Sequence, residues 1–372
     1  MSDVVVIGAG LSGLCIAYEL AGRGAAVQVA ERSEPGRGAS WAGAGMLAPF
    51  TEEIADSAML QLCERSLACY PRFVAGLRDE SGIDPHFQIN DTLSVAFDEA
   101  QVGILQARAH RLTQQGVKHA VFDRRQTLEA EPAVSPHAFQ SLLVTGEGQV
   151  DNRRLTRALL RACQQRGVRV SGECGTVAVE ADSRRVLGVR TQVGFNPATT
   201  VVNATGAWAA DLPCVPASCI PAVFPVKGQM LALAVPKNFF HRPVWVPGAY
   251  LVPRSDGRLL IGATVERCGF DVRVTADAIH GLLGSALAAA PTLSGFTLTE
   301  TWAGLRAGTP DGMPVISRTA LGGYYLATGH FRNGILLAPM TGVLTADLIE
   351  GKRNDFADAF AMQTGKPEAI NR

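Results

Sequence analysis

Hydrophobic and polar positions along this chain switch between two periods, and the switching lays out its elements. Val4–Ile7 is a run of four β-branched apolar residues, which reads as a strand buried on both faces. Residues 14–20 follow with helical spacing, and 26–30 form a second apolar strand. Residues 54–77 repeat apolar side chains on a helical period through Met59, Leu60, Leu62, Leu67 and Phe73. From about residue 83 the period falls to two, and 86–90 and 92–97 read as half-buried antiparallel strands.

Helical spacing returns over 102–115 and stops at Gly116, and a short helix ends at 129–131 before Pro132. Residues 153–166 form a basic helix ending at Gly167, whose arginines are expected to make a solvated face. Strands follow at 168–170 and 176–179, and the apolar strand at 200–203 runs into small residues. The proline-rich stretch 213–236 carries the chain into a second, antiparallel sheet. Its strands at 250–254 and 258–264 are joined by a Ser255-Asp256-Gly257 turn. A helix over 276–290, strands at 314–316 and 324–328 and a long helix over 336–350 complete the chain. There is no internal repeat and no low-complexity linker.

The pattern implies an α/β fold. A Rossmann-type dinucleotide-binding domain is expected from 1–82, 140–216 and 305–372, with an α+β substrate domain on an antiparallel sheet from 83–139 and 217–304.

Between the first strand and the first helix lies G-x-G-x-x-G. Gly8 permits the tight turn, Gly10 lets the backbone approach a pyrophosphate, and Gly13 allows close helix–strand packing. The helix N-terminus offers N–H groups and a positive dipole end to phosphates. The second strand ends at Glu31, the distance downstream expected of a carboxylate that binds a ribose. Three further features favour FAD over NAD: an Ala/Gly-rich loop at 35–49, small residues at Ala204-Thr205-Gly206, and a last strand that runs through Gly329-His330 into a helix. A helix N-terminus there suits negative charge on a reduced flavin ring.

Composition narrows the classes. Of 372 residues, 34 are basic and 34 acidic, so no net field attracts nucleic acid or an anionic membrane surface. The eight cysteines form no C-x-x-C and no metal-ligand set, and are expected to be reduced thiols in a cytoplasmic protein. No apolar run approaches the ~20 residues that span a bilayer.

With these motifs the chain resembles the D-amino-acid oxidase superfamily of FAD enzymes, and within it the glycine oxidase group. The resemblance rests on Gly8-x-Gly10-x-x-Gly13 with Glu31, on Ser40-Trp41-Ala42-Gly43-Ala44-Gly45-Met46-Leu47, and on Asn203-Ala204-Thr205-Gly206-Ala207-Trp208. It continues through Tyr250-Leu251-Val252-Pro253-Arg254, Trp302-Ala303-Gly304-Leu305-Arg306 and the run from Gly329 to Pro339.

The resemblance implies oxidative deamination of glycine, with sarcosine and small D-amino acids as further substrates. Hydride passes from the substrate α-carbon to N5 of a non-covalent FAD, O2 reoxidises the flavin to give H2O2, and the imine hydrolyses to glyoxylate and ammonia or enters thiazole synthesis for thiamine. No side chain is expected to act as catalytic base, which implies an alkaline activity optimum. The residues expected to hold the cofactor are Gly8, Ala9, Gly10, Leu11, Ser12, Gly13, Glu31, Arg32, Ser40, Ala42, Gly43, Ala44, Gly45, Met46, Val177, Ala204, Thr205, Gly206, Trp208, Arg306, His330, Phe331, Arg332, Asn333, Gly334, Ile335 and Leu336.

Arg306 is the expected clamp on the substrate carboxylate, because a guanidinium grips a carboxylate through two parallel hydrogen bonds. Tyr250 and Arg332 are expected to line the substrate. Val265 stands where the group implies a larger methionine, and a smaller wall broadens preference by only ~1–3 kcal/mol. Three alternatives stay open: a dehydrogenase passing electrons to a quinone, a non-catalytic flavin-binding subunit, and an NAD(H)-linked oxidoreductase. A homo-oligomer is implied by the resemblance alone.

Overall fold

The computed structural model describes residues 3–362 apart from 55, 354 and 357. Residues 1–2 and 363–372, the outermost parts of the expected 1–82 and 305–372 segments, lie outside the described residues.

The first strand, Val4–Ile7, lies inside a six-stranded sheet ordered Val315–Arg318, Tyr324–Thr328, Thr200–Asn203, Val4–Ile7, Val27–Ala30, Arg169–Ser171. Its neighbours on both sides run parallel to it, and only Val315–Arg318 is antiparallel to its partner. The chain leaves this strand toward Val27–Ala30 on one side and returns at Thr200–Asn203 on the other. That makes the C-terminal end of Val4–Ile7 a topological switch point, the place where open α/β sheets bind ligands.

Helices Leu11–Gly22, Ser57–Ser81, Asn152–Gln165 and Gly334–Ile349 share one core with this sheet, burying Leu14, Ile16, Leu62, Leu159 and Leu337. Each such side chain contributes about 1.5–3 kcal/mol of burial. Asp56 caps the second of these helices by accepting from the Met59 N–H at 2.9 Å, so it starts later than the apolar period alone implied. A second core holds Val5, Ile7 and Tyr324 with Val179 and Val189 of a small antiparallel sheet, Ala178–Ala181, Val186–Thr191 and Gly194–Pro197.

The second large sheet has eight strands, ordered Thr297–Gly308, Phe224–Ala234, Arg258–Gly262, Ala249–Pro253, Val244–Val246, Thr92–Ala96, Gln140–Val144, His119–Asp123. All its pairs are antiparallel except Val244–Val246 with Thr92–Ala96. The sequence reading assigned no strand at 119–123, 140–144 or 244–246, and two further details differ from it. Thr92–Ala96 is buried along its whole length rather than on alternate residues. Leu93 and Val95 pack in a core with helix Ala276–Ala289, while Ala96 joins Leu142, Val144 and residues of helix Glu99–Gln114. Thr297–Gly308 is a strand of twelve residues paired with Phe224–Ala234 along its length, with one bulge at Thr299. Its exposed first half and two glycines hid it from a period count.

The arginines of the basic helix do not all face solvent. The Arg153 guanidinium lies 3.8 Å over the Trp41 ring and forms two hydrogen bonds to Glu300, and Arg166 lies 3.6 Å over Tyr18 and pairs with Glu80. The pairing puts Gln140–Val144 and the end of Thr297–Gly308 with the eight-stranded sheet, and we propose the two-unit division with its joints moved to suit. The inner face of that sheet (Met230, Val252, Leu260, Trp302) packs on Ala42 and Ala44 of the Ala/Gly-rich loop.

Candidate active site

A cavity of about 1090 Å3 opens at the switch point and runs toward the inner face of the eight-stranded sheet. Ligand pockets for single small molecules fall near or below ~1,000 Å3, so this one suits a dinucleotide with a small substrate. One end is made by Gly8, Gly10, Leu11, Ser12, Glu31 and Arg32 together with Val177, Ala204, Thr205, Gly206 and Trp208. Gly8 holds φ +103, and a Cβ there would lie 2.6 Å from the Ala204 carbonyl oxygen. Gly10 caps the helix Leu11–Gly22 without a side chain, so it leaves the first turn open to the cavity; the Leu11 N–H is held by Ser40 Oγ at 2.9 Å.

Glu31 accepts from the Ala9 N–H at 2.8 Å and from Ser33, and its carboxylate has further lone pairs for a diol. The Arg32 guanidinium stacks 3.9 Å over the Trp208 ring, which in turn stacks on Phe270.

The middle of the cavity is walled by Ser40, Ala42, Gly43, Ala44, Gly45 and Met46. This loop has almost no side chains of its own to hold it, and distant residues fix it. Asn152 donates to the Ser40 and Trp41 carbonyls, Trp302 Nε1 donates to the Ala42 carbonyl at 2.9 Å, and the buried Arg254 donates to the Ala44 carbonyl at 2.6 Å. Arg254 also reaches Gln149 and Asn152, and burial pulls its pKa down to about 10. Gly45 holds φ +70 with the Val150 carbonyl oxygen 2.0 Å from where a Cβ would be.

At the far end the cavity meets His330, Phe331, Arg332, Asn333, Gly334 and Ile335 on one side, and Tyr250 and Arg306 from the eight-stranded sheet on the other. Thr341 Oγ1 donates to the Leu337 carbonyl, so it accepts from His330 Nε2 at 2.9 Å, which leaves Nδ1 unprotonated. Burial lowers the His330 pKa to about 4, so the ring is neutral at physiological pH. Arg306 Nη1 donates to the Thr264 carbonyl at 3.1 Å and the Lys227 carbonyl at 3.3 Å. Tyr250 is pushed above its usual range by burial, against the opposing charge of Arg306. Trp245 also lines this end, and its indole Nε1 is buried with no hydrogen-bond partner among the described residues. Val265 lines the cavity as an exposed residue at the wall.

Three expected cofactor residues stand behind the cavity wall rather than on it. Ala9 is fully buried and contributes its N–H to Glu31, Gly13 packs against the Gly8 carbonyl, and Leu336 belongs to the helical core. Sequence reading missed Glu52, Gly228 and the anchoring role of Arg254. Glu52 lines the cavity and pairs with Arg332 at 3.3 Å; burial raises its pKa while Arg332, Arg306 and Arg108 oppose that rise. Gly228 was readable as an isolated glycine in an apolar strand, a mark of close approach: a Cβ there would lie 2.4 Å from the Arg306 guanidinium. Glu52 carried no local signal.

Among the described residues there is no group of three or more His, Cys, Asp or Glu side chains placed to hold a metal, and no helix is long and apolar enough to cross a membrane.

Residues 3–348 match the family described as FAD dependent oxidoreductase. The chain is 35% identical over 351 residues to a glycine oxidase of Pseudomonas aeruginosa, covering 94% of this chain and 95% of that protein. It is 36% identical over 370 residues to the bifunctional protein ThiO/ThiG of Synechocystis sp., covering 97% of this chain and 54% of that protein. The chain therefore spans about half the length of the bifunctional relatives it matches. The crystal structure of glycine oxidase from Geobacillus kaustophilus superposes with a TM-score of 0.92 at 33% identity, covering 98% of this chain and 99% of that one.

Proposed function

This chain belongs to the FAD dependent oxidoreductase family, and we propose that within it the protein oxidatively deaminates glycine and other small amino acids, sarcosine and small D-amino acids included. Its cofactor is FAD, and the glycine-rich cradle fits that group. Gly8, Gly10 and the open helix terminus suit the pyrophosphate, and Glu31 suits the ribose. The loop from Ser40 to Met46 and the segment from His330 to Ile335 suit the flavin. The flavin, when bound, supplies the hydride acceptor that no side chain can provide.

The observation that carries the reading is Arg306, fixed by two backbone carbonyls beside Tyr250 at the end of the cavity away from Glu31. Arg306 grips the substrate carboxylate, and Tyr250 stays protonated and adds a hydroxyl donor. Arg332 bounds the same end. His330 is neutral and holds its segment through Thr341. The substrate amine arrives deprotonated, so the chain provides no base.

O2 as acceptor, release of H2O2, hydrolysis of the imine to glyoxylate and ammonia, and its use in thiazole synthesis all belong to the proposal, as do a cytoplasmic location and a homo-oligomer. A peroxide-coupled screen of glycine, sarcosine and D-alanine tests it, with Arg306→Ala alongside. Peroxide is expected with at least one of these substrates, and the variant is expected to lose about 10³-fold in kcat/KM, about 4 kcal/mol, from the lost charge-assisted pair. Flavin reduction without peroxide points to the dehydrogenase reading. Unchanged kinetics in Arg306→Ala remove the clamp from the site.

A further inference from the structure

We propose that Glu52 sets the charge selectivity of the substrate pocket: it occupies Arg332, so the pocket takes amino acids with one carboxylate and rejects those with two. This rests on the reading of the cavity as an amino-acid site.

Three charged side chains meet near Tyr250: Arg306, Arg332 and Glu52. Two guanidiniums and one carboxylate sum to one positive charge, which matches a single substrate carboxylate. With Glu52 neutral the same walls carry two positive charges and match two. The pairing is also loose. Arg332 Nη1 lies 3.3 Å from Glu52 Oε2, longer than the ~2.7–2.9 Å of a close charge-assisted bond, and Arg332 has other donors in its fork. Removing the Glu52 charge therefore frees Arg332 without moving backbone. A second substrate carboxylate placed near Arg332 in the native pocket meets Glu52 instead, and like charges in a desolvated site repel strongly.

Glu52 is built into this position. The fully buried Glu147 accepts from the Phe50 N–H at 2.7 Å, the Thr51 N–H at 2.9 Å and the hydroxyls of Thr51 and Thr92. On the other side Glu53 holds φ +53 and pairs with Arg108 and Arg111. Both neighbours of Glu52 are thus pinned, and its side chain, 12% exposed, is held at the cavity wall. An exposed glutamate on a free loop would gain nothing from such anchoring.

The test uses two non-oxidisable ethers. Methoxyacetate has the shape of sarcosine and one carboxylate; diglycolate has the shape of iminodiacetate and two. Calorimetric titration of the FAD-loaded protein gives the ratio of their dissociation constants. In Glu52→Gln this ratio is expected to move at least fivefold toward diglycolate, and the gain is expected to vanish in Glu52→Gln/Arg332→Gln. The kcat/KM ratio of iminodiacetate to sarcosine is expected to move the same way. A shift below fivefold, a gain that survives the Arg332 change, or binding of neither ether overturns the proposal. If Glu52→Gln does not retain the cofactor, Glu52→Ser gives the same comparison. Should the oxidation reading fail, no variant turns over sarcosine while the ether titration still reads the charge preference, so the two failures are distinguishable.

Discussion

Gly228→Ala isolates the placement of Arg306 from its presence. A Cβ on Gly228 would lie 2.4 Å from both Arg306 Nη1 and Nη2, whereas ordinary contact begins at 3.4 Å, so the guanidinium must retreat by about 1 Å. Retreat also lengthens its bonds to the Lys227 and Thr264 carbonyls, which set its orientation. A misplacement of about 1 Å at a reacting site costs about 10²-fold in rate, or roughly 2.7 kcal/mol. The backbone has little reason to suffer, because Gly228 sits inside a strand paired with Gly304, where alanine loses less entropy than glycine. Steady-state kinetics with glycine are therefore expected to show kcat/KM reduced about a hundredfold, with Tm and bound FAD held near wild type. Gly304→Ala is the control: its Cβ would lie 2.4 Å from Ala42 Cβ, so it is expected to disturb the cofactor loop and lower FAD retention instead. Gly228→Ala kinetics within threefold of wild type would refute the placement of the clamp.

Other consequences follow from the same geometry. In Gly45→Ala the strain at φ +70 and the 2.0 Å approach to a backbone oxygen have no flexible side chain to absorb them. The variant is expected to lose FAD on gel filtration and to drop several degrees in Tm. At the substrate end His330 is held near 4 and burial raises both Tyr250 and Glu52. His330 is too weak a base and Tyr250 stays protonated, while the Glu52 carboxylate is taken up by Arg332, so kcat/KM is expected to rise with pH along the substrate's own amine titration. A profile that stays flat, or that does not shift between glycine and sarcosine, counts against this. His330 binds its proton at about 4 when folded against 6.5 when exposed, so between these values the unfolded chain holds more protons. Stability is expected to fall as pH drops from about 6.5 toward 4, by at most about 3 kcal/mol, and denaturant titrations should find a flatter slope in His330→Gln.

What was legible in the sequence was local. Val4–Ile7 declared itself by four apolar β-branched residues, and the glycines after it by their spacing, because a strand, a turn and a helix start are each set within a few residues. The Ala/Gly loop was legible as a place of close approach, but not what holds it. Its anchor Arg254 lies 210 residues from Ala44, and no spacing rule reaches that far. Glu52 was invisible for the same reason, since its partner Arg332 is 280 residues away. Arg153 and Arg166 read as a solvated helix face because the Trp41 and Tyr18 rings that receive them belong to other segments. Thr297–Gly308 failed for another reason: at a sheet edge its exposed first half and its glycine-interrupted second half carry no period, and only its long partner strand defines it.

On the proposed reading, this cavity brings a small amino acid to a flavin held by Ser40–Met46 and His330–Ile335. Anaerobic addition of glycine or sarcosine to the purified yellow protein tests it most directly. The visible flavin absorbance is expected to bleach, and admitting O2 is expected to restore it with one peroxide formed per flavin. A flavin that stays oxidised with glycine, sarcosine and small D-amino acids alike contradicts it.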